Sequence, residues 1–560
     1  MKKLILVVII ASAALGAALI FAPGEAAPPS PAGGGDGAIA YLPLDDRPDN
    51  VFCVELLARS VDITLLMPDD DLFGNSLDGQ DGEKISDRGA LFQWVRDMDE
   101  AGCDVFILSL DQLFSGGLVS SRCMTGENPI VFPGGEILTE SEAFDEYILP
   151  IIKDQKNMVY IFDSLMRLAS SVGYDGLDLD DYTALRQYGS VPRPALAEDE
   201  LTLEAIFAAY PLSADGSAIP QPEGAGEYLA ARERKMRLID HVMDEVGELP
   251  NLRLLVGIDD SSHGENIQGN EARYLQKNLP RPNSIFSGLD SMGRVLTALA
   301  LQNSYHCQTS VNVRYFGGGE NLPASDYDSD SLRQSVAKHL GLFTAVEDKS
   351  DEVDIIILTH SPSGDFGAAV TALEENQKNG VPTIFIDASD RGYGDALEEL
   401  LLSRIDFAAL MGYSGRYDQA SLVGCGLSSG LARYMYLKNS PEISSETHLA
   451  QAEQIANSML LSIAYKSHAH YTVNQYIASL GLDPGNILGD NSQMRDVEEN
   501  LQAALAQAAE PVIDNLERGQ VVTDLAGGGL PLGSVTVTNA RYPWRRTFEI
   551  AYELSVTQEA

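Results

Sequence analysis

Cysteine is scarce in this chain: Cys53, Cys103, Cys123, Cys307 and Cys425 are five in 560 residues, an odd number with no Cys-x-x-Cys pair. A disulfide framework is thereby excluded, although one bridge is allowed, and the thiols read as small buried hydrophobes. Basic residues are also few, 38 against 82 acidic ones, for a formal net charge of −44. A field of that sign repels phosphate backbones and anionic lipid surfaces, so a nucleic-acid partner is excluded. It suits a protein that stays soluble outside a cell or in high salt. No Gly-x-Ser-x-Gly elbow, Walker loop or His-Glu-x-x-His motif occurs, so neither cofactor nor metal is assigned from motifs. Long apolar runs are missing from Ala38 onward. Membrane anchoring therefore rests only on residues 4–22, where Met1-Lys2-Lys3 leads into an apolar stretch followed by an Ala-, Pro- and Gly-rich segment. Residues 1–37 read as a signal peptide or membrane anchor plus linker, and the expected location is secreted or cell-surface. No cysteine follows the run, so lipoprotein attachment is not supported.

With 44% apolar and 21% charged residues, the rest is ordinary globular sequence. Short aliphatic runs alternate with longer helical stretches, the signature of a mainly parallel α/β sheet. Strands are expected at Ala38–Leu44, Ile63–Met67, Val105–Leu110, Met158–Phe162 and Leu252–Ile258, then at Val311–Phe316, Asp354–Leu358, Thr383–Ile386 and Phe407–Met411. Helices are expected at Ser331–Leu342, Gly367–Asn379 and Asp395–Arg404, from Ser444 through Leu480, and near Met494–Ala509, before a short strand-like tail. The pattern predicts two doubly wound, mainly parallel α/β blocks around a cleft (38–305 and 306–443) and a helical C-terminal segment (444–560). A (β/α)8-type barrel is the alternative that periodicity does not separate. Insertions at Ser115–Asp145 and Gly173–Gly226 exceed ordinary connection lengths and are expected to wall a site.

Strand after strand ends in an acidic or otherwise functional residue: Asp45 and Asp46, Asp111, Asp163, Asp259 and Asp260, then His360, Asp387 with Asp390, and Tyr413. Parallel sheets place ligand sites outside the carboxyl ends of their strands, so these residues are expected to converge. Any one aspartate is equally suited to capping the next helix. Two adjacent carboxylates at a strand end are harder to explain so, because they repel and require a cation, a shared proton or a polyol. Arg47, Arg122 and Arg167 are the expected counter-charges, with Gly116 and Gly117 allowing close backbone approach. Alternation along an extended chain predicts that one of Asp259 and Asp260 faces the cleft, with a raised pKa, while the other holds the loop.

PLDDRPDN at Pro43–Asn50, DQLFSGGLVSSR ending at Arg122, GIDDSSHGENIQGNE at Gly257–Glu271 and YPWRRTFEI at Tyr542–Ile550 together resemble the bacterial family known as domain of unknown function 4127. The resemblance runs from about Ala38 to Leu554. It implies that Asp45, Asp46, Arg47, Asp111, Gly116, Gly117, Arg122, Asp259, Asp260 and Glu271 fall on family motif positions. It confers no reaction. One departure is Arg416-Tyr417, where the family's segment carries Trp-Asn; Tyr413 and Tyr417 are the candidates to replace its stacking role.

Asp326, Asp328 and Asp330 imitate the start of a calcium loop, but Ser331 and Ala337 stand where Gly and Glu are required. His468 and His470, two apart in a helix, do not share a face and are not a zinc pair. Gly424-Cys425-Gly426 lacks the dinucleotide spacing and reads as close helix packing. The expected function is an exported hydrolase acting on a carbohydrate or cell-envelope glycan. Asp259 or Asp260 would be the acid and Asp45 or Asp46 the base or nucleophile; Arg47, Asp111, Gly116, Gly117, Arg122, Asp163, Arg167, Glu271 and Tyr413 would bind substrate. The alternatives are a non-catalytic two-lobed binding protein for a small polar ligand, or a metal-dependent hydrolase using His263 or His360.

Overall fold

The computed structural model describes residues 38–559 apart from 75–85, 172–177, 263–264, 280–283, 324, 326, 344–345, 348–351, 360–365, 390–393, 416–420 and 488. Residues 4–22, His263, His360, Asp390, Arg416 and Tyr417 lie outside these described residues.

Two open parallel sheets replace any closed barrel. The first has the order β2-β1-β3-β6-β7-β8, built from β1 (Ala38–Leu42), β2 (Thr64–Leu66), β3 (Val105–Ser109), β6 (Met158–Leu165), β7 (Leu252–Ile258) and β8 (Ser284–Ser287). A two-residue hairpin, β4 (Ile130–Val131) with β5 (Ile137–Leu138), decorates the first insertion. The second sheet has the order β10-β9-β11-β12-β13, with β9 (Ser310–Phe316), β10 (Val346–Glu347), β11 (Val353–Thr359), β12 (Thr383–Ala388) and β13 (Gly412–Gly415). In both sheets the chain winds outward from the first strand and then reverses. The reversal opens a crevice between β1 and β3 in one sheet and between β9 and β11 in the other, which is where doubly wound folds bind ligands.

Side-chain alternation sorts the core into layers. Ile39 and Tyr41 of β1 pack with Val353, Ile355 and Ile357 of β11, and with helices Met292–Tyr305 and Leu422–Asn439 between them. Ala40 and Leu42 face the opposite way, with Phe92, Ile148 and Val242 of the outer helices. Ile356 and Leu358 turn to a third core shared with the C-terminal helices. The two blocks and the C-terminal segment fall in one compact unit because they share these cores.

Where sequence and structure differ, packing is the cause. The run Phe407–Met411 is not a strand: Phe407–Ala409 forms a 3-10 turn, and β13 begins at Gly412. Asn515 takes the backbone groups of this segment, accepting from Phe407 N and donating to the carbonyls of Leu402 and Ile405. The true strand is glycine-flanked because helix Leu422–Asn439 presses on it: a Cβ on Gly412 would lie 2.6 Å from the Gly430 nitrogen. Gly426 and Gly430 are one helical turn apart, and a Cβ on Gly426 would lie 2.8 Å from Ile386 Cγ1 and one on Gly430 2.3 Å from Ile384 Cγ1. The expected strand-like tail is a three-stranded antiparallel sheet of β14 (Gln520–Val522), β15 (Gly529–Arg541) and β16 (Ala551–Gln558). β8 and β10 fall among segments that carry no strand signal in the sequence reading.

Candidate functional site

A cavity of about 510 Å³ opens at the carboxyl ends of the first sheet. From β1 come Asp45, Arg47 and Asp49; from the loop after β3, Leu118, Val119 and Arg122; from β6, Arg167; from β7, Asp259 and Asp260; and from β8, Asp290. Tyr182, from a helix of the second insertion, and Ser325 and Tyr327, from the segment after β9, add walls. The far wall belongs to the C-terminal segment: Leu461, Lys466, Trp544, Arg546, Phe548, Glu549 and Ile550. The loop Tyr542–Ile550 between β15 and β16 thus returns some 500 residues along the chain to face β1; Arg47 and Glu549 are 502 positions apart.

Arg47 organises one side. Its guanidinium lies 2.8 Å from Asp45, 2.5 Å from Asp290 and 3.3 Å from Glu549. Asp45, fully buried, accepts from the Arg47 backbone N–H at 3.2 Å and from Asn50 Nδ2 at 2.7 Å, which closes the turn after β1. One cation faces three carboxyl groups, so this cluster is short of positive charge. Burial, only partly offset by Arg47, holds Asp45 above the usual carboxylate range, and holds Glu549 well above it with Asp49, Asp290 and Asp45 adding like charge. Glu549 Oε2 is buried with no hydrogen-bond partner among the described residues.

Arg122 and Arg167 organise the other side. The left-handed Gly116 (φ +72°) and Gly117 (φ +122°) turn the chain sharply into the short helix Leu118–Ser121, and Arg122 follows it. Arg122 grips Asp259 with two prongs, Nε to Oδ2 at 2.9 Å and Nη2 to Oδ1 at 3.0 Å, and donates to Ser171 Oγ at 2.9 Å. Arg167 donates to Asp260 at 2.8 Å and to the carbonyls of Ala169 and Ser170. The two aspartates do not part to opposite sides, as alternation predicts. Asp260 has φ +29°, which ends the extended chain, and both line the cavity. Their electrostatics diverge nonetheless. Burial raises Asp259 against the pull of Arg122, whereas at Asp260 the arginines Arg167 and Arg122 outweigh burial and hold it below the usual range.

Other sequence candidates sit elsewhere. Asp111 and Asp163 are buried and share Lys235, which contacts Asp111 and lies 3.1 Å from Asp163. Asp111 also accepts from Ser164 N at 3.0 Å, so this triad braces β3 against β6 and stands outside the cavity lining. Glu271 is locked beneath, fully buried, by Arg232 and by Tyr210 Oη at 2.5 Å. Tyr413 packs against Phe385 and Phe407 and receives a hydrogen bond from Ser462, so it does not stack in the cavity. Asp46, half-buried, is not among the lining residues. Asp387 is turned to Ser389 in the second sheet. Among the described residues no group of three His, Cys, Asp or Glu side chains converges as a metal site.

Asp49, Tyr182, Asp290, Tyr327, Lys466, Trp544, Arg546, Phe548 and Glu549 escaped the sequence reading. Asp290 follows β8, a four-residue strand too short to show a pattern. The remaining signal was YPWRRTFEI, which packs two arginines, three aromatic rings and an acid into nine residues, but nothing local tells that it faces β1. Comparison with curated proteins and with solved structures returns no match. The family comparison does: a model described as protein of unknown function (DUF4127) matches residues 39–553, and the chain belongs to that family.

Proposed function

We propose that this cavity is the active site of an exported hydrolase acting on a carbohydrate or cell-envelope glycan. The observation that carries the reading is the Arg47 cluster, in which three carboxyl groups share one guanidinium and one of them, Glu549, has a buried oxygen without a partner among the described residues. Burial and the neighbouring carboxylates bias a carboxyl group in that setting toward its protonated form, which suits it to give a proton to a leaving glycosidic oxygen. Asp260, kept ionised by Arg167, supplies the opposing carboxylate, attacking the anomeric carbon itself or through a water. Asp259 has both oxygens taken by Arg122 and serves as a fixed support. This reverses the sequence assignment of acid and base between the β1 and β7 sides. Trp544, Phe548, Tyr182 and Tyr327 contribute aromatic side chains to the cavity lining, a composition in keeping with a carbohydrate ligand. The export reading rests on residues 4–22, and no described helix is long and apolar enough to cross a membrane.

The test is a screen of the purified protein against glycans, with and without chelator. Glu549→Gln is expected to lower turnover by about 10²–10⁴-fold, the usual contribution of a general acid. Turnover unchanged in that variant sinks the assignment, and a ligand-induced thermal shift with no turnover in the parent protein replaces it with the binding-module reading.

A further inference from the structure

The helical run from Ser445 to Ser479 is wound in two ways. Ser445–Met459 and His470–Ser479 are α-helical, but Leu460–Ala469 between them is a π-helix, in which bonds close over five residues; the His470 N–H, for one, reaches the Tyr465 carbonyl. π-turns are rare, usually single, and frequent at functional sites. Here they extend over ten residues, and Leu461 and Lys466 from that stretch line the cavity.

The side chains show what the winding achieves. At 3.6 residues per turn, five residues make about 1.4 turns, so positions i and i+5 point different ways on an α-helix; a π-helix brings them to one side. Leu461 and Lys466 are five apart and share the cavity. Tyr465 and His470 are also five apart, and both reach Thr547: the tyrosine hydroxyl donates to its carbonyl, and His470 Nε2 lies 3.1 Å from its Oγ1. Ser467 Oγ donates to the Ser462 carbonyl at 3.0 Å over the same spacing. Rewound as an α-helix, the stretch would turn one member of each pair away.

These contacts fall on the residues just before Glu549. The earlier part of the loop Tyr542–Ile550 is tied elsewhere, since the Arg545 carbonyl accepts from Ile487 N at 2.8 Å and Thr547 N donates to the Pro484 carbonyl at 3.2 Å. The π stretch takes two later carbonyls, that of Thr547 through Tyr465 and that of Phe548 through Lys466. A peptide unit is planar, so holding the Phe548 carbonyl also holds the Glu549 nitrogen, and few rotations remain between that nitrogen and the carboxyl group.

We propose that Tyr465 and Lys466 are positioning residues, presented by the π winding to hold the Thr547 and Phe548 carbonyls and so to set Glu549 against Arg47. The inference rests on the reading of Glu549 as the acid, and it supplies the fixed placement that proton transfer to a bound substrate requires. Release of the clasp would move Glu549 from Arg47, Asp45, Asp49 and Asp290 toward water, removing the burial and like charge that hold it well above the usual carboxylate range.

Trp94 and Trp544 are the two tryptophans of the chain, so Trp94→Phe leaves Trp544, buried in this loop with its ring 5.6 Å from the Arg47 guanidinium, as the sole fluorescent indole. In that background the experiment measures acrylamide quenching and emission against pH for the parent, Glu549→Gln, Tyr465→Phe and Lys466→Met, well below the melting temperature. The parent is expected to show a transition that Glu549→Gln removes. Each clasp variant is expected to raise the quenching constant about two-fold or more, as local opening exposes the loop. The Glu549 transition should fall with it toward the ordinary glutamate value of about 4.3 while far-UV circular dichroism stays unchanged. Loss of stability alone would move the melting temperature and neither of these readings. Quenching that stays at the parental level in both variants, or a transition that does not move when quenching rises, overturns the proposal while the glycan reading stands. A parental transition that survives Glu549→Gln overturns the proposal together with the assignment of Glu549 as the acid. If one variant fails to fold the other decides, and loss of the helical signal in both makes them folding residues and overturns the positioning role.

Discussion

Two glutamates of this chain show how surroundings divide roles among identical groups. Glu271 is fully enclosed and answered by Arg232, Tyr210 and the nearby ring of Tyr228, 5.5 Å from that guanidinium. Glu549 is also removed from water but shares its cation with two other acids. Glu271→Gln should therefore cost about 3–5 kcal/mol, the penalty for leaving Arg232 buried and unpaired, with ligand affinity unchanged. Chemical denaturation and titration of the folded variant read the two effects separately. Asp163 gives a pH prediction. Burial carries its carboxyl up to about 7, with Lys235 opposing and Asp111 assisting. An acid held above its unfolded value of about 3.9 contributes stability that is complete below that value and lost as pH rises through the folded one. Asp163→Asn is expected to flatten the decline in melting temperature between about pH 4 and 8; an unchanged slope removes Asp163 from the balance.

At the scale of elements, two features decide whether the site exists. The loop Tyr542–Ile550 is held by ion pairing to Arg47 and by Tyr465, whose hydroxyl meets the Thr547 carbonyl. Trp544→Ala should weaken ligand binding by about 2 kcal/mol, the scale of a buried aromatic anchor, while far-UV circular dichroism stays unchanged. A loss of β-sheet signal instead would make Trp544 a folding residue. Helix Leu422–Asn439 is the second feature, lying against β12 and β13 along its glycines. A Cβ on Gly430 would come within 2.3 Å of Ile384 Cγ1, whereas one on Gly226, in helix Ala225–Val246, meets nothing within 4 Å. Gly430→Ala should lower stability by about 1–3 kcal/mol through overpacking, and Gly226→Ala should leave it level or raise it slightly. Equal effects would mean that helix propensity, not close approach, governs both positions.

The molecule as a whole carries a net charge of −44, and among the described residues exposed carboxylates outnumber buried ones. Self-repulsion of this size is screened by salt, so raising ionic strength from about 0.05 to 0.5 M should raise the melting temperature. A melting temperature that falls with salt would show that ion pairs such as those of Arg47 and Arg122 outweigh the general repulsion.

Composition and pattern by themselves determined the α/β class, the positions of most strands and the clustering of Asp45, Arg47, Arg122, Arg167, Asp259 and Asp260 at strand ends, because a parallel strand needs an aliphatic run and its site residues follow that run directly. Local sequence carries no record of distance across the chain. Asp111, Asp163 and Glu271 look the same in sequence as the cavity aspartates, yet Lys235 and Arg232, on the helix Ala225–Val246, claim them for the interior. Glu549, Asp290, Trp544 and Arg546 join the site only because β8 and the loop before β16 come to rest beside β1. Which carboxyl group is pushed up and which is held down follows from burial set against the cations within reach, and only the tertiary structure decides both.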